Sequence, residues 1–216
     1  MDYTALRRRM VESQLRTNKI TDETVLEAMG EVPRELFVPR ALKSVAYLDE
    51  DLQIAPGRYL MEPMVLGRLL QLAEIKATDL ALVIGCGNGY SAAVMARLAA
   101  SVVAVESDAA LAQKAQELLA ELDATNVSLV RGPLNAGHPG QAPYDVILFD
   151  GSIEEIPDVI ARQLGVGGRL VTVLQADGPG RAVLATRTEA GLAHRVVFDC
   201  SVPRLPGFAK APSFVF

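Results

Sequence analysis

Three glycines at alternate positions, Gly85, Gly87 and Gly89, close an apolar run in the stretch ALVIGCGNGY. Glycine at such a turn supplies unusual dihedrals and lets the backbone approach a ligand closely. A carboxylate, Glu106, stands 21 residues after Gly85 at the end of the apolar segment SVVAVE. An acid at that distance, closing the second strand of an α/β sheet, can accept both hydroxyls of a ribose. The dinucleotide fingerprint G-x-G-x-x-G would need a third glycine at position 90, where Tyr90 stands and is too bulky for the close packing. A second carboxylate, Asp150, ends DVILFD. It could hold an N–H or O–H and take up its proton, or simply cap the next helix. Arg34, Arg40 and Arg58 could each meet a substrate carboxylate or be solvated. His138 and His194 are single, and no His, Cys or carboxylate cluster has metal-ligand spacing, so no metal is expected.

The elements that would position these groups alternate along the chain. Residues 2–17 read as an amphipathic helix, with Leu6, Met10, Val11 and Leu15 near helical spacing. A second helix covers 21–30, with Thr21 as the expected N-cap. Two prolines mark a connector, and YLDEDLQIAPG reads as an extended or looped segment. Pro63 suits the first turn of a helix reaching about Ile75. Strands at 80–84, 101–106, 126–130, 145–150 and 167–174 then alternate with helices at 90–99, 109–122 and from Pro157. Strands that are apolar throughout and separated by helices predict a parallel sheet covered on both faces. The tail reads as two longer strands around a Glu-Ala-Gly turn, an antiparallel hairpin closing one edge.

Composition bounds the partners. The 216 residues are half apolar and carry a net charge of −5, with no basic tract beyond Arg7–Arg9. That balance disfavours nucleic acid, which needs clustered cations. Two cysteines make no disulfide framework, the N-terminus lacks an apolar signal segment, and no run approaches a membrane span. The expectation is a cytoplasmic protein with no membrane partner.

The five-residue G-x-G-x-G turn resembles the first motif of class I S-adenosylmethionine (SAM) methyltransferases. Beyond the fold, the chain resembles the protein-L-isoaspartate O-methyltransferase family from about Met10 to the C-terminus. MVESQLRTNKITDETVLEAMGEVPRELFVP is similar to that family's opening, with its V-P-R-x-x-F-V-P signature. VIGCGNGYSAAVMARL is similar to E-I-G-T-G-S-G-Y-x-x-A-x-x-A, and APYDVI and IPDVIARQLGVGGRLV to its later strand–helix–strand.

The resemblance implies an α/β, Rossmann-like class I methyltransferase: a mostly parallel seven-stranded sheet with an antiparallel C-terminal hairpin and an N-terminal helical cap. Residues 1–62 would form the cap and a substrate-side loop. Residues 63–216 would form the SAM-binding domain, the two making one structural unit. It implies SAM as cofactor, held by Gly85, Cys86, Gly87, Asn88, Gly89 and Glu106, with Gly132, Pro133 and Leu134 beside the adenine. It implies methyl transfer to the α-carboxylate of an L-isoaspartyl residue in a damaged protein or peptide. That carboxylate is ionised at neutral pH, so alignment and water exclusion matter more than a general base.

Three departures accompany the resemblance. The family's loop G-Q-T-I-S-x-P, which supplies a hydroxyl beside the reacting carboxylate, is GRYLMEP here, with Tyr59 and Met61 at the two hydroxyl positions. The family's G-D-G after the third strand is Gly132-Pro133-Leu134. Small neutral residues after the fourth strand give way to Asp150. An ionised acid there would repel a carboxylate acceptor and favour an amine or hydroxyl. Tyr59, Met61 and Asp150 are therefore the candidate catalytic residues. A methyltransferase acting on a different, unidentified acceptor, and a non-catalytic SAM-binding protein, remain the alternatives.

Overall fold

The computed structural model describes residues 1–176 and 178–209. Helix α1 (Tyr3–Met10) starts at Asp2, whose side chain accepts from the Ala5 N–H. The expected single helix over 2–17 does not persist. It passes into a π-helical turn over Val11–Leu15 and a 3-10 turn over Arg16–Asn18. Thr17 Oγ1 donates to the Ser13 carbonyl and Asn18 Nδ2 to that of Gln14, so polar side chains compete for the groups that would extend the helix. Helix α2 (Glu23–Glu31) is capped by Asp22, not Thr21; the Thr21 and Asp22 N–H groups both donate to Gln71.

The segment read as extended is a small antiparallel hairpin, β1 (Leu52–Ala55) and β2 (Arg58–Leu60), turning at Pro56-Gly57. Helix α3 (Pro63–Leu72) follows with Pro63 in its first turn. The main sheet then alternates as expected: β3 (Leu80–Ile84), α4 (Tyr90–Met95), β4 (Ser101–Glu106), α5 (Ala109–Glu121), β5 (Val127–Arg131), β6 (Tyr144–Ile153), α6 (Asp158–Ala161) and β7 (Leu164–Leu174). A hairpin of β8 (Arg181–Thr188) and β9 (Gly191–Asp199) closes it. Strand order is β5-β4-β3-β6-β7-β8-β9, parallel through β7 and antiparallel beyond. This is the seven-stranded mixed sheet that the sequence predicts.

Alternate strand residues face two buried layers. Ala81, Val83, Val102, Ala104, Val146 and Leu148 share a core with the N-terminal helices and α3–α5. Leu82, Ile84, Val103, Val105, Ile147 and Phe149 pack against Leu134, Ile160, Leu164 and Leu205 on the other face. The N-terminal 62 residues therefore have no core apart from the sheet's. Strand order reverses between β3 and β6, which marks the crevice at their carboxyl ends as the place for a ligand. Strand β6 runs past the expected Asp150 to Ile153, because Ser152 is tied to the later segment 202–205. Its N–H donates to Pro203 O, its Oγ to Val202 O, and Leu205 N–H donates back to its carbonyl. Among the described residues no helix is long and apolar enough to cross a membrane.

Candidate active site

The glycine turn leaves β3 with φ of +80° at Gly85, +55° at Gly87 and +94° at Gly89, a region that L side chains rarely adopt. Gly85 and Cys86 N–H donate to Val105 O, and Gly89 N–H closes the turn on Cys86 O before α4 begins. The space that the missing side chains leave is filled by the chain itself. A Cβ at Gly85 would lie 2.6 Å from Leu205 Cδ2, one at Gly87 2.8 Å from Ile54 Cδ1, and one at Gly89 3.1 Å from Ala115 Cβ. Cys86 is buried, with its thiol pushed well up by burial and then by Glu106, so it is a small packing residue rather than a thiolate. Asn88 Nδ2 donates to Phe37 O, tying the turn to the N-terminal layer.

Glu106 is fully buried at the end of β4, next to the turn. Its Oε2 accepts from Gly87 N–H at 2.8 Å, and its Oε1 from Ser107 N–H at 2.8 Å and Asp108 N–H at 2.9 Å. Arg58, projecting from β2, forks onto both oxygens, Nη1 to Oε1 and Nη2 to Oε2, and Nη2 also donates to Gly85 O at 3.0 Å. A carboxylate has about four lone-pair sites. Five strong donors already converge on Glu106, so none is left for ribose hydroxyls. Burial pulls the Arg58 guanidinium down, and the Glu106 contact more than offsets it, leaving the cation favoured. In this arrangement the residues present do not accommodate a nucleoside.

The loop carrying Tyr59 and Met61 meets Asp150 around a cavity of ≈ 10 Å³, room for about one water. Asp51, Gly57, Arg58, Gly151 and the segment 202–205 complete its lining. Tyr59 is half-buried opposite Gln53. Met61 is buried, and its carbonyl accepts from Arg34 Nη2 at 2.8 Å. Arg34 is wholly enclosed: Nε donates to Ala46 O at 2.7 Å, and the guanidinium lies 5.0 Å from the Tyr90 ring centroid. Neither Arg34 nor Arg58 is a solvated arginine, whereas Arg40 is exposed. Asp150 caps no helix. Its Oδ2 accepts from Ser91 Oγ at 2.6 Å, its Oδ1 is buried without a partner, and burial lifts it to about 6 against the Ser91 hydrogen bond. Glu62, one residue past Met61, is lifted to about 7 by burial and then by Asp51 and Asp49.

Gly132 follows β5 with its N–H on Glu106 O, and Leu134 is buried in the second core layer. Pro133 offers no N–H, so the adenine-side acid and donor expected of this segment have no counterpart here. His138 and His194 lie on a connecting turn and on the edge strand β9. Among the described residues no group of three or more His, Cys, Asp or Glu could hold a metal. Sequence reasoning left out Arg58 as the partner of Glu106, and Ile54, Ser91 and Leu205 altogether. One signal existed: Arg58 replaces the glutamine of the family's G-Q-T-I-S-x-P loop, adding a cation that a buried neighbour must neutralise.

Residues 6–200 match the family model described as protein-L-isoaspartate(D-aspartate) O-methyltransferase (PCMT). A Methanoculleus marisnigri protein-L-isoaspartate O-methyltransferase is 44% identical over 165 residues, 76% of this chain and 75% of its own. A Koribacter versatilis protein of the same name is 38% identical over 194 residues, 89% of this chain and 86% of its own. A solved protein-L-isoaspartate O-methyltransferase superposes with a TM-score of 0.84 at 25% identity, over 94% of this chain and 67% of that one. A second fold match, TM-score 0.77 at 18% identity over 93% and 96% of the two chains, is a Plasmodium falciparum protein in complex with S-adenosyl-L-homocysteine. By sequence across nearly its whole length, this chain belongs to the protein-L-isoaspartate O-methyltransferase family.

Proposed function

We propose that this chain is a SAM-dependent methyltransferase that esterifies the α-carboxylate of L-isoaspartyl residues in damaged proteins. The observation that carries the reading is the family match over residues 6–200, which includes the glycine turn, Glu106 and the 57–63 loop. When bound, SAM supplies an electrophilic methyl on a sulfonium. The chain's own residues then have two tasks, to hold the groups in line and to keep water out. The glycine turn and Glu106 sit at the carboxyl ends of β3 and β4, the place where a sheet of this topology receives its ligand, and the cofactor would have to displace Arg58 from Glu106 to bind there. The 57–63 loop, Asp150 and segment 202–205 wall the acceptor side and exclude solvent. Asp150, lifted to about 6, is largely ionised at neutral pH, and Met61 brings no hydroxyl. Both features slow transfer to a carboxylate. The two cysteines are free, which supports a reducing cytoplasmic setting.

The test is transfer of labelled methyl from SAM to an isoaspartyl peptide, against the same peptide with a normal aspartyl linkage. Label is expected in the first alone. Changing Tyr59→Thr with Met61→Ser is expected to raise that rate, within the roughly 10²-fold that one well-placed donor contributes. No label in either peptide, with or without the double change, would overturn the reading. Label reaching an amine or hydroxyl acceptor instead would favour the second reading, a different acceptor, which the carboxylates Asp51 and Asp150 lining the cavity support.

A further inference from the structure

We propose that the β1–β2 hairpin is a gate that occupies the cofactor site of its own chain, with Arg58 seated on Glu106 in place of the ribose and Ile54 covering Gly87. The proposal rests on the reading above, that Glu106 and the glycine turn are where the nucleoside binds. The cofactor and the hairpin then compete for the same atoms. Every lone pair of Glu106 is engaged, two of its contacts coming from Arg58. The faces of Gly85 and Gly87 that glycine keeps clear are closed by Leu205 and Ile54. The cavity of ≈ 10 Å³ beside them cannot take a nucleoside.

Two features make the hairpin the part that moves. It is a separate two-stranded sheet of four and three residues, outside the seven-stranded one; Leu52 and Leu60 hold its ends in the main core, while its turn, Pro56-Gly57, is exposed. Gly57 and Arg58 line both the inner cavity and a surface groove of ≈ 370 Å³ formed with Ser107, Asp108 and Pro206. Lifting the turn would carry Arg58 into that groove and join the two spaces. The apparent dissociation constant is the intrinsic one divided by the open fraction, so a change that weakens the closed state tightens binding.

Titration calorimetry with S-adenosyl-L-homocysteine tests this on the full chain, on Arg58→Gln and on Ile54→Ala. Arg58→Gln, which restores the glutamine of the family's loop, is expected to bind about tenfold or more tightly than the native chain. Ile54→Ala, which leaves the Arg58–Glu106 pair in place, is expected to tighten about threefold. In the native chain the ligand is expected to speed tryptic cleavage of the Arg58–Tyr59 bond, followed by mass spectrometry, because Arg58 is only 6% exposed when closed. Equal or weaker binding by the variants, or slower cleavage with ligand, overturns the gate while leaving the methyltransferase reading intact. Absence of binding in the native chain and both variants overturns the cofactor reading as well as the gate. If Arg58→Gln does not fold, an unchanged Ile54→Ala affinity is enough to reject the proposal.

Discussion

Replacing Asp150 by asparagine is expected to stabilise the protein at neutral pH and to leave it nearly unchanged in acid. Asp150 is 7% exposed as a residue, one carboxyl oxygen accepts from Ser91 at 2.6 Å, and the other is buried without a partner. Burial raises it from its ordinary 3.8 to about 6. A carboxyl with a raised folded-state pKa binds its proton more tightly folded than unfolded. Its contribution is therefore fully present below the unfolded value and is lost as pH rises through the folded one. At ~1.36 kcal/mol for each pH unit, a rise from 3.8 to about 6 amounts to about 3 kcal/mol lost between pH 4 and pH 6. Asparagine keeps nearly the same volume and an oxygen for Ser91, and it never ionises. The stability difference between variant and native protein should thus be near zero at pH 4, climb through pH 5, and level off at about 2–3 kcal/mol above pH 6.5. Urea unfolding at closely spaced pH values measures it, and subtracting the two proteins cancels the other titrating groups to first order. A difference that is flat with pH, or that favours the native protein at pH 7, would show that Asp150 is well solvated or firmly paired as an anion.

Gly87→Ala should cost roughly 1–2 kcal/mol, the penalty of a Cβ in the left-handed region. Ile54→Ala in the same chain should restore only the small part due to the 2.8 Å approach, since φ stays at +55°; full recovery in urea unfolding would contradict a backbone origin. Arg169 joins three parts of the fold: Nε donates to Ala73 O at 2.9 Å, and Nη2 to Glu74 O at 2.8 Å and Asp79 at 2.5 Å. Arg169→Ala should therefore lose about 2–3 kcal/mol, as charge-assisted bonds on a partly buried pair do, and a loss under about 0.5 kcal/mol would count against it.

Local chemistry made much of this protein readable in one dimension. Apolar strands separated by helices imply a doubly covered parallel sheet wherever they occur, and β3, β4 and α5 follow their periodicity closely. The glycine turn was legible because left-handed dihedrals leave few residues to choose from, and Glu106 because its distance from that turn is a property of one strand–helix–strand unit. The altered loop, Tyr59 and Met61, was likewise visible as a departure from a motif. What occupies the space beside the glycines was not legible, since it depends on side chains 31 residues before Gly85 and 120 after it. Ile54, Arg58 and Leu205 meet there only because β1–β2 folds over the crevice and Ser152 captures segment 202–205. Asp150 reads as a helix cap or a base with equal ease along the chain, and only the packing of α4 against β6 gives it Ser91 as its partner. Periodicity and turn chemistry are set by neighbours in sequence, whereas burial, charge pairing and the filling of a crevice are set by neighbours in space.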